Sequence, residues 1–203
     1  MNYKYYSSNI IGCENFLPPL TLQDIRIELS NNRNNFNVAH WGSKVNDTKT
    51  IEFFSPYCGG IDYWIKWNES KPNNEKIMNL DKWFYHQGLF SFIEQKKDVF
   101  SLLKKTKKHN IHVISYNNGG YYNWHQDSEI FTFNLILNKG DNLLGGDMLF
   151  MDDGKIITIP NQDNFMVVFP GYIDHAITEI KSKDGKDVPF PQQRFSIQYW
   201  VML

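Results

Sequence analysis

A histidine and an aspartate, His125 and Asp127, lie two positions apart in a segment rich in aromatic residues. Side chains at positions i and i+2 of a β-strand point to the same face of the strand, so this pair can bind one metal ion together. A second histidine, His175, follows a turn and precedes an apolar segment. The sequence therefore predicts a metal site with two imidazoles and one carboxylate.

The spacing of the pair is not specific by itself, because a histidine and an aspartate two positions apart occur on exposed strands and turns of many proteins. The alternative is that His125 is a surface histidine and that His175 is a core histidine bonded to the backbone. The motifs that flank both residues favour the metal site.

Taken together, these motifs resemble the iron(II)- and 2-oxoglutarate-dependent oxygenases, and within them the prolyl 4-hydroxylase-like group. The resemblance covers roughly the second half of the chain. It is based on Tyr-x-x-Gly-Gly-x-Tyr-x-x-His-x-Asp at 116–127, Leu137-Asn138 followed by Gly145-Gly146-Asp147-Met148-Leu149-Phe150, Val168-Phe169-Pro170 leading to His175, and Arg194-x-Ser196.

The chain departs from the family pattern at three positions. The family's Gly-Gly-Glu motif ends in Asp147 here, and the tyrosine expected two residues before Asn138 is Ile136, which removes one hydroxyl from the co-substrate pocket. Arg194 also lies farther from His175 than the family's usual gap, so lysines in the intervening segment are rival anchors. Arg194 is favoured because it opens an alternating strand and shares a face with Ser196.

The resemblance implies a dioxygenase that uses Fe(II), 2-oxoglutarate and dioxygen, with ascorbate as a reductant. It would hydroxylate a prolyl or other amino-acid side chain, in a peptide or a free molecule, and release succinate and CO2. No catalytic residue is expected beyond the metal ligands. The expected site residues are His125, Asp127 and His175 for the metal, Arg194, Ser196, Tyr116 and Asn134 for 2-oxoglutarate, and Tyr122 and Trp124 on the substrate side.

Two other functions stay open. The chain could be a catalytically inactive, metal-containing jelly-roll protein that binds a small molecule, or an oxygenase that acts on a nucleobase or another small metabolite. A pure binding protein has no evident need for a 2-oxoglutarate anchor, so Arg194 favours the enzyme. Tyr116 has a structural alternative as well, since it can simply pack in the core. The substrate and the oligomeric state are not readable from the residues.

Short strands in close succession follow His109, and the hairpin signal at Asp153-Gly154 is strong. The last strand alternates polar residues from Arg194 onward with apolar ones, so its apolar face must be covered. These patterns predict a mainly β fold with supporting helices, and the resemblance makes it a double-stranded β-helix (jelly roll, cupin-like) with N-terminal helices packed on the outer sheet. We expect a single domain, 1–203, in which 1–108 support a core at 109–203.

The N-terminal half carries two helical patterns. Thr21 with Asp24 resembles a capping box that starts a helix with an apolar stripe through Leu29. A second stripe runs from Leu89 to Leu103. Residues 1–15 look like an extended lead-in, strands are expected at 37–41 and 50–54, and the rest of 36–78 is left open.

Composition limits the function classes. The chain has 203 residues with 41% hydrophobic content, a net charge of −1 and a pI near 6.6, which disfavours nucleic-acid binding through phosphates. We expect no membrane partner and a cytoplasmic location, because no apolar run or signal-peptide pattern occurs and the two cysteines look like free thiols. The hydrophilic segment 181–193 is predicted to be a mobile lid on the substrate side, with an inert surface insertion as the alternative.

Overall fold

The computed structural model describes residues 1–38, 50–53, 75–94, 99–138, 140 and 142–203. The helices are α1 Pro19–Asn31, α2 Glu75–Met78, α3 Asp81–Phe84 and α4 Gln87–Ile93, with short 3-10 turns at Arg33–Asn35, Val99–Lys105 and Phe190–Gln192. The strands are β1 Asn2–Ser7, β2 Ile10–Glu14, β3 Phe36–Val38, β4 Thr50–Phe53, β5 Lys107–Tyr116, β6 Tyr122–His125, β7 Phe131–Asn138, β8 Leu143–Leu144, β9 Met148–Asp152, β10 Lys155–Ile159, β11 Phe165–Pro170, β12 Asp174–Ile177, β13 Lys181–Ser182 and β14 Arg194–Met202.

The strands form two main antiparallel sheets. The major sheet has eight strands in the order β1-β2-β11-β7-β14-β5-β4-β3, and the minor sheet has four in the order β10-β9-β12-β6. β8 and β13 form a separate two-stranded ribbon. This arrangement confirms the mainly β, double-stranded β-helix prediction.

The long central strand β14 divides two cores because its residues alternate between the faces of the major sheet. Arg194, Ser196 and Gln198 lie on the inner face, whereas Phe195 and Ile197 pack on the outer face in the larger apolar cluster. That cluster also contains buried side chains of α1, α3 and α4. The N-terminal helices therefore cover the outer sheet, as predicted.

Aromatic rings join the helices to the outer face. Phe84 of α3 lies 5.0 Å from Tyr199 of β14 and 5.3 Å from Phe133 of β7, measured between ring centroids. The second apolar cluster lies on the inner side and includes Phe150 of β9 and Phe169 of β11, whose rings are 4.8 Å apart. This inner cluster forms the apolar lining around the polar residues of the candidate site.

The helix start was predicted wrongly. α1 begins at Pro19, two residues before the expected cap at Thr21, and the residue before it, Pro18, makes no side-chain cap hydrogen bond. Proline suits the first helical position because its φ is already helical and it has no N–H to satisfy. The predicted apolar stripe is correct, since Ile25 and Leu29 are buried.

Other elements extend or limit the predictions. Residues 1–15 are extended as expected, but they form β1 and β2, and β2 pairs with β11 in the major sheet. The stripe predicted from Leu89 to Leu103 is divided between α4 and a 3-10 turn, with 95–98 outside the described residues. Residues 39–41 and 54 of the predicted strands, and most of 36–78, also lie outside them.

The hairpin prediction is confirmed. β9 pairs with β10 in register, and both turn residues, Asp153 and Gly154, have positive φ angles of 49° and 72°. None of the helices in the described part of the chain has the length and apolarity needed to span a membrane. The division into a support region, 1–108, and a core, 109–203, stays a prediction.

Candidate active site

The minor sheet brings the two predicted histidine ligands together. His125 ends β6 and His175 is the second residue of β12, and the two are direct register partners in this antiparallel pair. Their ring centroids are 4.1 Å apart. The Nε2 atoms of His125 and His175 lie 3.8 and 3.7 Å from the carboxylate oxygens of Asp127. One donor atom from each residue falls within 4.8 Å of the others.

Backbone carbonyls orient both imidazoles. The Nδ1 atom of His125 lies 2.8 Å from the carbonyl oxygen of Asn123, and that of His175 lies 2.9 Å from the carbonyl oxygen of Ile173. Because a carbonyl only accepts hydrogen bonds, each Nδ1 must carry the proton, which leaves the Nε2 lone pair directed towards the centre of the cluster. Burial lowers the pKa of His175 to about 4, so this ring is neutral at pH 7, as a metal ligand must be.

Asp127 is not held by β6, contrary to the expectation that it shares a strand with His125. The strand ends at His125, and Asp127 lies in the following loop, where its backbone N–H donates to the Gly171 carbonyl at 2.9 Å. The Thr132 hydroxyl donates to Asp127 Oδ2. The loop fits only because position 171 is glycine, since a Cβ atom there would lie 2.0 Å from the Glu129 carbonyl oxygen.

The electrostatics of Asp127 suit a cation. Burial raises the pKa of this carboxyl group, and the Thr132 hydrogen bond and the nearby charge of His125 offset the rise in part. Two imidazole nitrogens and one carboxylate oxygen form the donor set of mononuclear non-haem Fe(II) sites with open coordination positions. The residues present therefore fit an Fe(II) ion.

Arg194, the first residue of β14, is fully buried on the inner face. Its Nε donates to the Gly146 carbonyl at 3.1 Å, its Nη1 donates to Ser196 Oγ at 2.7 Å, and its guanidinium carbon lies 5.1 Å from the centroid of the Tyr116 ring. The Nη2 atom has no hydrogen-bond partner among the described residues. Nor does any carboxylate in the described ranges form an ion pair with this guanidinium.

Burial lowers the pKa of Arg194 only to about 10, so the group stays charged at pH 7. A buried charge without a counter-ion is strongly destabilising. The arrangement therefore suits an anionic ligand that completes the guanidinium, and a carboxylate can do so through two parallel hydrogen bonds.

The glycine pair of the Gly-Gly-Asp motif builds the wall against which Arg194 lies. Gly145 and Gly146 have φ angles of 71° and 75°, and a Cβ atom on Gly146 would meet Arg194 Cδ at 3.0 Å. Asp147, which replaces the family's glutamate, accepts a hydrogen bond from the Asn161 backbone N–H at 2.8 Å. Its role is thus to hold this turn, and it is not part of the metal cluster.

The remaining predicted residues fall in different places. Asn134 is buried on β7, and its Nδ2 donates to Met148 Sδ at 3.0 Å. The Tyr122 ring stacks on the His125 ring at a centroid distance of 3.8 Å. Trp124 is 43% exposed and lines a surface pocket with Leu149 and Ala176. The structure thus brings Asn134 and Tyr122 near the cluster and places Trp124 on its outer side.

The sequence patterns did not identify several residues near the site. Thr132 supports Asp127, Gly171 makes room for its loop, and the ring of His112, to which no role was assigned, lies 4.6 Å from the ring of Trp200. Gln198 is buried two positions after Ser196. Strand alternation contained the signal for Thr132 and Gln198, because each lies on the same face as a residue already singled out.

Segment 181–193 is packed at the Arg194 end of the sandwich and not beside Asp127. Its backbone is fixed by asparagine side chains that follow β5: Val188 N–H donates to Asn117 Oδ1 at 2.8 Å, and Asn118 Nδ2 donates to the Gly185 carbonyl at 3.1 Å. Whether the segment acts as a lid on the substrate side stays a prediction.

Fold and donor set together describe a jelly roll with a candidate metal site, and comparison with known proteins shows which family it resembles. Residues 111–202 match the family model described as the 2OG-Fe(II) oxygenase superfamily. These residues, somewhat less than half of the chain, are therefore similar to that superfamily. No significant match was found among curated proteins.

Solved structures agree on the fold. A Pseudomonas putida prolyl-4-hydroxylase is similar over 96% of this chain and 93% of its own, with 14% identity and a TM-score of 0.59. A Trichoplax adhaerens prolyl hydroxylase in complex with a hypoxia-inducible-factor peptide is similar over 97% and 84%, with 12% identity and a TM-score of 0.60. OsALKBH1 is similar over 98% and 99%, with 14% identity and a TM-score of 0.62. At these identities the likeness establishes the fold alone.

Proposed function

We propose that the protein is an Fe(II)- and 2-oxoglutarate-dependent dioxygenase that hydroxylates a prolyl or other amino-acid side chain, in a peptide or a free molecule. The observation that carries the proposal is the pairing of a two-histidine, one-carboxylate cluster at the minor sheet with the buried guanidinium of Arg194 on the inner face of the major sheet, whose Nη2 has no hydrogen-bond partner among the described residues. A ligand that both chelates a metal and carries a distal carboxylate fits both ends.

In this proposal each residue has a distinct task. His125, Asp127 and His175 hold the metal, with Thr132 fixing the carboxylate. Arg194 binds the distal carboxylate of 2-oxoglutarate. An Fe(II) ion bound by the three metal ligands would, together with 2-oxoglutarate and dioxygen, supply the oxidising power for C–H hydroxylation, with succinate and CO2 as products. The apolar side chains of the inner cluster exclude water from this chemistry.

Arg194 acts together with Ser196 and Tyr116. Ser196 already accepts a hydrogen bond from Nη1, which turns the guanidinium fork towards the cavity, and the Tyr116 ring lies against the cation. Both residues are fully buried. They therefore fix the anchor's direction, and the Ser196 hydroxyl is placed to donate to the same carboxylate.

The substrate class is supported by the charges near the metal. The exposed or half-exposed ionisable residues on the loops beside it include the acids Asp174 and Glu129. Acids close to the metal ligands disfavour a polyphosphate backbone and suit neutral or cationic peptides and amino acids. Two of the structural neighbours are named prolyl hydroxylases, which is consistent with this choice but not specific, since the third is OsALKBH1.

The test is a substrate screen with the iron-loaded protein. Proline-containing peptides, free amino acids and nucleosides are incubated with 2-oxoglutarate, with and without ascorbate, and succinate and a mass gain of one oxygen are measured. Succinate that requires both iron and 2-oxoglutarate, coupled to oxygen gain in a peptide or amino acid, is the expected result. Oxygen gain confined to nucleosides would overturn the substrate class.

A second outcome would overturn the enzyme itself. If the protein bound iron stoichiometrically but formed no succinate with any compound or on its own, it would be a binding protein. His175→Ala is the matched control, because this variant should show neither iron retention nor succinate. Residual succinate from that variant would indicate free iron in the assay.

A further inference from the structure

The strand β10, Lys155–Ile159, forms one edge of the minor sheet. Among the described residues only β9 pairs with it, and this pairing runs in register without a bulge. At one edge of the major sheet the pairing is less regular, because the register between β1 and β2 shifts between Tyr5 and Ser7. Bulges and charged side chains commonly protect a sheet edge from pairing with a further strand. β10 has no bulge, and its one charged residue, Lys155, stands at its end.

The turn that precedes β10 determines which of its backbone groups bond to β9. Asp153 and Gly154 both have positive φ angles, as a type I′ turn requires. In a hairpin with this two-residue loop, the flanking residues Asp152 and Lys155 are hydrogen-bonded to each other. The ladder between β9 and β10 therefore begins with a hydrogen-bonded pair at Lys155.

Hydrogen-bonded and non-hydrogen-bonded pairs alternate along an antiparallel ladder, so every second residue from Lys155 onwards bonds to β9. The N–H and C=O groups of the two residues between them, Ile156 and Thr158, point away from β9 to the open edge. No backbone hydrogen bond from another described segment reaches these groups. The open edge ends on one side at the turn residue Gly154 and on the other at Pro160, which has no N–H to donate.

Apolar side chains accompany these open groups on both faces of the strand. Ile156 is 57% exposed and lies beside its register partner Met151, which is 39% exposed. On the opposite face, Ile157 is half-buried and packs against the inner apolar cluster. A strand added at this edge would therefore cover apolar surface as well as satisfy backbone groups.

We propose that β10 pairs with β10 of a second copy of this chain, antiparallel about a two-fold axis at Ile157. The two four-stranded minor sheets then form one continuous sheet. In this register Ile156 of each copy faces Thr158 of the other as a hydrogen-bonded pair, so that every outward N–H and C=O group of both residues is satisfied. This inference does not rest on the proposed function.

The neighbours of the strand favour this register over its alternatives. A shift by two residues in either direction would place Gly154 or Pro160 opposite the open groups and leave part of them unpaired. The two Lys155 side chains lie at opposite ends of the paired strands, four residues or roughly 13 Å apart along the strand direction. This separation exceeds the Debye length at physiological ionic strength, so their repulsion is largely screened.

A second copy also fits the edge better than an unrelated peptide does. A foreign strand would need the same spacing of donors, acceptors and apolar side chains, which β10 itself already provides. On the two-fold axis, Ile157 of one copy faces Ile157 of the other as a non-hydrogen-bonded pair. Side chains of such pairs approach closely and stabilise the sheet.

Sedimentation velocity over a concentration series tests the pairing. Two short strands bury less area than a standard interface, so we expect a monomer–dimer equilibrium that depends on concentration. Thr158→Pro removes the outward N–H without removing a bond to β9, since proline is tolerated in an edge strand at such a position. Both copies lose a hydrogen bond, so the dimer dissociation constant should rise roughly 5- to 150-fold. Thr158→Ala keeps the N–H and is the matched control.

A cysteine cross-link tests the register and carries the test if Thr158→Pro fails to fold. Ile157→Cys places two thiols across the two-fold axis within reach of a disulfide bond, so mild oxidation should give a covalent dimer. Ile156→Cys is the control, because this residue faces Thr158 of the other copy and its two thiols would lie on a diagonal. The unsubstituted protein, which contains Cys13, gives the background.

Three results would overturn the proposal. The first is a protein that stays monomeric over the whole concentration series. The second is a dimer with equal dissociation constants in Thr158→Pro and Thr158→Ala, which would place the contact elsewhere. The third is cross-linking that is stronger through Ile156→Cys than through Ile157→Cys, since the strands would then pair in another register. None of these results would affect the dioxygenase proposal, which depends on other residues.

Discussion

The metal end of the candidate site, on the minor sheet, and the Arg194 end, on the inner face of the major sheet, are built on opposite electrostatic principles. At the metal end, two imidazoles oriented by backbone carbonyls and one carboxylate, Asp127, bring their donor atoms together, and burial keeps His175 neutral, so the cluster suits a cation. At the other end, Arg194 is a buried cation that forms no ion pair with a carboxylate of the described residues, and its Nη2 has no hydrogen-bond partner among them. Each end is incomplete alone, and the missing charges have opposite signs.

The opposite signs of the missing charges explain why the two ends form one site. A metal ion completes the first end, and the carboxylate of a ligand that reaches from the metal to Arg194 completes the second. The positioning also differs: the histidines depend on strand pairing and Asp127 on a loop, whereas Arg194 depends on the Gly145-Gly146 turn. Substitutions should therefore be able to disrupt each end separately.

Removing a metal ligand should have the largest effect. His175→Ala deletes a donor from a cluster whose remaining geometry stays in place, so iron affinity and succinate formation should both be abolished, while circular dichroism shows a native spectrum. Glu179→Ala is the control, since Glu179 is an exposed acid beyond the same strand, and it should leave iron binding unchanged. Near-normal iron content in His175→Ala would disprove the ligand assignment.

Removing the Arg194 side chain should leave metal binding intact. Arg194→Met removes the buried guanidinium, and loss of a buried, charge-assisted contact of roughly 2–4 kcal/mol corresponds to about 30- to 1000-fold in the 2-oxoglutarate KM. Iron affinity should change little. Lys183→Met, in the exposed part of segment 181–193, should change neither quantity. The reverse pattern would move the anchor to the lysine.

The neutral histidine also predicts a pH dependence of the metal-free protein. The pKa of His175 falls from 6.5 to about 4 on folding because burial disfavours its charged form. Between these values the unfolded chain binds a proton that the native chain does not, so this contribution to stability is complete above pH 6.5 and is lost as the pH falls towards 4. The loss is about 3 kcal/mol at most.

Urea unfolding of the metal-free protein from pH 7 to pH 4 measures this loss. His175→Gln cannot titrate, so its unfolding free energy should fall less steeply over the same range. Parallel curves for the two proteins would show that His175 is not the group responsible.

Local patterns predicted much of this architecture. The two-residue period of the β14 sequence predicted that Arg194 and the outer apolar residues lie on opposite faces, and the Asp153-Gly154 turn predicted its hairpin. Long-range contacts were beyond such patterns. The pairing of β2 with β11 and the space at Gly171 depend on segments distant in sequence, and nothing beside His125 signals that the chain leaves the sheet before Asp127.

The smallest effect concerns the residue that holds Asp127. Thr132→Val keeps the shape of the side chain but removes the hydroxyl that donates to Oδ2, so the carboxylate loses a contact that directs it, while the backbone hydrogen bond from Asp127 to Gly171 remains. Partners of metal ligands typically contribute about 10- to 100-fold in metal affinity. Because the backbone bond survives, we expect a value near the lower limit, about tenfold, measured by Mn(II) titration.

Thr158→Val is the matched control, because Thr158 is exposed on β10 and should not affect the metal. The 2-oxoglutarate affinity of metal-saturated Thr132→Val should stay near that of the wild type, since Arg194 is untouched. An equal loss in metal and 2-oxoglutarate affinity would mean that Thr132 shapes the whole cavity, and the two ends could then no longer be treated as separately built. Metal affinity identical to the wild type would show that the Asp127 loop is positioned by its backbone alone.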